Sequence, residues 1–184
     1  FAKRYFVSKE EQEMKPVLEV CTHSVESAVS AERGGAMRLE LCANLMIGGT
    51  SPDEDLFRMV RERVSVPVRV LLRPRCGDFL YTESEFELLC RQVKRFAALG
   101  ADGIVIGVLT PEGDLDEARM EKLIALAGGC GVTLHRAFDV CRDPFAALET
   151  AKRLGVDTIL TSGQQADCTA GADLLPVGDF SFYD

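Results

Sequence analysis

Residues 17–42 read VLEVCTHSVESAVSAERGGAMRLELC. A short apolar, β-branched run, Val17–Val20, gives way to a polar stretch and a helical stripe. The glycine pair Gly34-Gly35 then precedes a second apolar run, Arg38–Leu41. Strand, helix, glycine turn, strand is the unit of a parallel α/β fold. The two strands carry matching tetrads, Leu18-Glu19-Val20-Cys21 and Leu39-Glu40-Leu41-Cys42.

The unit recurs. Further apolar runs fall at Val66–Leu72, Gly103–Ile106, Val132–Leu134 and Thr158–Leu160. Between them, Phe86, Leu89, Cys90, Val93 and Phe96 follow helical spacing, as do Met120, Leu123, Ile124 and Ala127. Thr82 with Glu85 predicts a capping box, and Asp143-Pro144 a cap before a first-turn proline. Gly34-Gly35, Gly100, Gly128-Gly129 and Gly155 mark helix ends. Six such units require parallel strands joined by right-handed helical crossovers, the construction of a TIM-type (βα) barrel.

The length of 184 residues is below the roughly 200–250 that a complete eight-unit barrel takes, so the expected fold is an α/β barrel truncated after about six βα units. Residues 1–13 lack strand alternation and precede Met14, and are read as an N-terminal extension or leader. Residues 14–171 form the barrel domain. In 172–184, Pro176 interrupts the expected sixth helix, and this stretch is read as an atypical C-terminal tail. An open six-strand sheet leaves two unprotected edges, and pairing with a second copy, a homo-oligomer, is one way to cover them.

Composition excludes several partners. The chain holds 29 acidic and 21 dispersed basic residues, net −8, which argues against nucleic acid. No apolar run approaches the roughly 18 residues that cross a bilayer, and the cytoplasm is the expected compartment. Seven scattered cysteines without a CxxC pair read as free thiols.

In parallel barrels, chemistry sits at the C-terminal ends of the strands. Those positions here are Glu19 and Cys21, Glu40 and Cys42, Arg73, Arg75 and Asp78, Gly107, then His135, Arg136 and Asp139, and finally Thr161, Ser162 and Gly163. Cys21 and Cys42 close equivalent tetrads on strands about 4.8 Å apart, and two converging thiolates suit Cu(I). The plainer reading makes both cysteines small packing residues. Arg73 and Arg75 are suited to bind a carboxylate or phosphate, or to be neutralised by Glu19, Glu40 or Asp78. His135 beside Asp139 and Arg136 is a candidate acid, base or metal ligand, against a purely structural role.

These stretches resemble the CutC copper-homeostasis family. The similarity lies in Leu18–Cys21, Ser24–Ala28, Gly34–Cys42, Gly48–Pro52, Arg73–Arg75, Gly77–Phe79, His135–Asp139 and Leu160–Gly163, and runs from about Lys15 to Gly171. Residues 172–184 lie outside it, and Met37 and Cys76 depart from the family pattern. The resemblance implies a cytoplasmic TIM barrel associated with copper, with Cys21 and Cys42 as Cu(I) ligands. It also implies a barrel-mouth cluster of Glu19, Glu40, Arg73, Arg75, His135, Arg136 and Asp139. Two functions follow. One is a copper-binding protein. The other is an enzyme acting on a small anionic metabolite, with Glu19, Glu40, His135 and Asp139 as catalytic candidates and Arg73, Arg75, Arg136, Ser162 and Gly163 as ligand-binding ones.

Overall fold

A computed structural model describes residues 16–172 and Leu174. The proposed 1–13 extension and nearly all of the 172–184 tail lie outside these residues. Each of the six apolar runs contributes a strand: β1 Glu19–Thr22, β2 Arg38–Leu41, β3 Val68–Leu71, β4 Gly103–Ile106, β5 Gly131–Leu134 and β6 Thr158–Ile159. They form one sheet in sequential order, every neighbouring pair parallel. Helices α1 Val25–Arg33, α2 Glu54–Arg61, α3 Glu83–Ala98, α4 Glu117–Ala127 and α5 Pro144–Arg153 make the crossovers. This is the wall of a TIM-type barrel, six strands of it among the described residues.

Local signals place the helices. Thr82 and Glu85 exchange their capping-box bonds at the start of α3, at 3.3 Å and 2.8 Å. The Asp143 carboxylate accepts from the Phe145 and Ala146 amides at 3.0 Å and 3.1 Å, with Pro144 opening α5. Asp143→Ala strips that cap and is expected to lower stability by about 1 kcal/mol in urea unfolding; an unchanged midpoint would show the cap to be redundant. The first strand lies two residues beyond its expected position. β2 begins only at Arg38, after the Gly35 turn, and Glu19 is the residue that meets it in register. Among the described residues no helix follows β6. Positions 161–172 are turns and bends, with Gly163 and Gln164 both at positive φ.

The two faces of the sheet differ. Leu39, Leu41, Val68, Val70, Ile104, Ile106, Val132 and Leu134 are buried in one apolar core with helix residues such as Phe57, Val60, Leu89, Phe96, Met120 and Leu123. The opposite face carries Glu19, Arg38, Glu40, Arg69, Thr133 and Thr158, with a small apolar layer of Cys42, Leu71 and Val105. Arg69, 6% exposed, donates to the Thr133 and Thr158 hydroxyls. It gets there by passing over Gly103 and Gly131. A Cβ at Gly103 would lie 2.9 Å from Arg69 Cγ, and one at Gly131 would lie 3.0 Å from Arg69 Nη2.

Candidate functional site

The ladder decides which strand-end residues meet. Glu19 faces Arg38, and Cys21 faces Glu40. Glu19 and Arg38 form a buried ion pair, and Cys21 Sγ lies 3.7 Å from Glu40 Oε1. Cys42 therefore sits two residues further along the sheet than Cys21, about 7 Å in strand rise, on the same face. The thiols also differ in environment. Cys21 is exposed, whereas Cys42 is buried and donates to the Thr22 carbonyl at 3.4 Å. Burial, with the Glu40 charge adding to it, pushes the Cys42 thiol up to about 11. Among the described residues no three His, Cys, Asp or Glu side chains are grouped to hold a metal ion.

Register also separates Glu40 from Arg73, which the sequence allowed as an ion pair: the β3 residue opposite Glu40 is Arg69. The two arginines that read alike have different roles. Arg75 is fully engaged, with Nε on Glu85 at 2.6 Å, Nη2 on Asp78 at 2.8 Å, and further bonds to the carbonyls of Cys76, Asp78 and Leu80. Arg73 instead gives its terminal nitrogens to the carbonyls of Gly48, Gly49 and Gly77, which ties the loop after β2 to the loop after β3. Its guanidinium lies over the Phe79 ring, 4.8 Å from the centroid.

His135 packs against the same Phe79 ring, with centroids 4.6 Å apart. The Ala137 amide donates to His135 Nδ1 at 3.2 Å, so a neutral ring carries its proton on Nε2. Burial, and then the Arg73 charge, lowers its pKa to about 3. At neutral pH this imidazole is therefore uncharged, a hydrogen-bond donor and a weak base. Gly107 makes room for it: a Cβ there would lie 2.6 Å from two ring atoms of His135.

Arg136, Asp139, Thr161, Ser162 and Gly163 come together as one network. Asp139 accepts from Thr161 Oγ1 at 2.6 Å, from the Ser162 and Gln164 amides at 3.0 Å and 3.1 Å, and from Arg136 Nε at 2.7 Å. Burial opposes its charge, but these bonds outweigh burial and hold its carboxyl below the usual range. Arg136 continues to Ser162 Oγ and the Gln165 carbonyl. Asp139 thus fastens the loop after β6 to the loop after β5. Phe79 and Tyr81 carry no assigned role in the sequence reading, although two aromatics so close behind the Arg73–Arg75 turn are a usable signal.

The CutC family model matches residues 16–177. A CutC family protein of Salmonella schwarzengrund is 46% identical over 159 residues, covering 86% of this chain and 64% of the relative. For the Salmonella typhi protein the identity is also 46%, with 61% of the relative covered. The chain thus spans less than two thirds of the length of these relatives. The crystal structure of CutC from Streptococcus agalactiae, named for copper homeostasis, superposes with a TM-score of 0.75 at 28% identity over 82% of this chain and 74% of that one. A phosphonopyruvate hydrolase, TM-score 0.55 at 15% identity, shares the fold alone. On the extent of the family match and the identity to its members, this chain belongs to the CutC family.

Proposed function

We propose that this chain serves copper homeostasis in the cytoplasm and binds Cu(I) through Cys21 and Cys42. The copper-homeostasis name of the Streptococcus agalactiae relative supports the assignment. The observation that carries the ligand choice is that an exposed thiol and a buried one occupy the inward face of adjacent strands, with Glu40 alongside. Soft thiolates suit Cu(I). Cys21 is the accessible entry ligand. Cys42 must lose its proton as the metal binds.

Cu(I) titration under reducing conditions tests this. The Cys21→Ser/Cys42→Ser double variant is expected to lose stoichiometric binding, and unchanged affinity in the folded variant sinks the reading. Because the metal displaces thiol protons, wild-type affinity should fall by about tenfold per pH unit for each proton released as pH drops. Cys42, with its pKa raised to about 11, keeps that dependence throughout the neutral range.

A further inference from the structure

Three buried polar atoms at the strand ends have no hydrogen-bond partner among the described residues: Arg73 Nε, His135 Nε2 and Tyr81 Oη. Their parent residues are 8%, 3% and 3% exposed. All three belong to the C-terminal ends of β3 and β5 or the loop that follows β3. Arg73 lies over the Phe79 ring, His135 packs against that ring, and Tyr81 follows two residues later in the same loop. The Arg73 charge acts on both His135 and Tyr81.

Each of the three is a donor. The His135 proton is on Nε2 because Nδ1 accepts from Ala137. Burial pushes the Tyr81 hydroxyl up to about 12, so it keeps its proton. The decisive feature is the charge of Arg73. Its guanidinium meets three carbonyls and an aromatic face, and no carboxylate of the described residues bonds to it. A buried, uncompensated cation with idle donors beside it is costly unless an anion completes it.

We propose that Arg73, His135 and Tyr81 bind a small carboxylate at the C-terminal ends of β3–β5, above Gly107. One guanidinium balances one negative charge, so a monoanionic carboxylate matches the site, whereas phosphate, near −2, leaves excess buried charge. The site is separate from the Cys21 and Cys42 thiols and does not rest on the copper reading. Arg75, held by Asp78 and Glu85, takes no part.

The test follows the ring signals of His135, one of two histidines in the chain, by NMR on the full-length protein in a metal chelator. Formate and inorganic phosphate are titrated separately at constant ionic strength. A saturable shift with formate is expected, retained in Cys21→Ser/Cys42→Ser. Arg73 also holds three loop carbonyls, so the variants used are Tyr81→Phe and His135→Phe, with the Tyr81 variant read by the His135 ring and the His135 variant by formate-dependent change in Tm. Each is expected to weaken formate binding about tenfold; Tyr81→Phe should hold or raise the ligand-free Tm because it deletes an unsatisfied buried donor, whereas His135→Phe also leaves the Ala137 amide without its acceptor and should lower it. Unsaturating shifts with formate, saturation by phosphate alone, undiminished formate binding in both variants, or a bridging water as the sole occupant in a crystal grown with formate would each overturn the proposal.

Discussion

Replacing Asp139 with alanine is expected to cost about 3 kcal/mol of stability, because several donors lose one charged acceptor at once, each such bond contributing about 1.5–3 kcal/mol. The carboxylate is 4% exposed and gathers donors from two loops. Without it, the Ser162 and Gln164 amides, the Thr161 hydroxyl and the Arg136 guanidinium lose their acceptor together. Gln164, held at φ 57, would then keep an unfavourable conformation with less to hold it. Urea unfolding should show the loss, and limited proteolysis should cut the variant first within 161–165.

The pH dependence gives a second readout. The folded pKa of Asp139 is depressed, so its contribution is fully present above the unfolded value of about 3.9 and disappears as pH falls through the folded one. The stability gap between wild type and Asp139→Asn should therefore be widest near neutrality and close below about pH 4. A gap independent of pH would mean that the contribution comes from packing rather than charge.

Gly103→Ala is expected to destabilise by about 3 kcal/mol, at the upper end of overpacking effects. Its Cβ would meet the Gly131 carbonyl oxygen at 2.8 Å and Arg69 Cγ at 2.9 Å. The first is backbone of the neighbouring strand and cannot yield without loosening the β4–β5 ladder. Gly131→Ala serves as the comparison. Its Cβ would meet the tips of the Arg69 and Asp157 side chains at 3.0 Å and 3.2 Å, which can shift, so about 1 kcal/mol is expected. Parallel denaturant melts measure both; equal losses would remove the distinction between yielding side chain and fixed backbone.

Local chemistry made the architecture legible. The Thr82–Glu85 box, the Asp143-Pro144 start and the glycine helix ends each act within a few residues, and each is present in the folded chain. Six strands in sequential parallel order follow from the same repeat. The candidate site was legible as a list, since strand ends can be counted. Its partnerships were not. Matching tetrads suggest that Cys21 and Cys42 lie side by side, but register sets Cys21 opposite Glu40, because β2 starts pairing at Arg38.

The sequence by itself determined the six strands, the five crossover helices with the caps that bound them, and the residues gathered at the strand ends. Only the tertiary structure decided that Arg75 is neutralised by Asp78 and Glu85 while Arg73 is left with carbonyls from the loop after β2, and that Asp139 ties two loops together. The reason is range. Caps and periodicity are satisfied by neighbours in the chain, whereas a buried charge is satisfied by whichever groups the sheet order brings near, and adjacent sequence positions such as Arg73 and Arg75 say nothing of that.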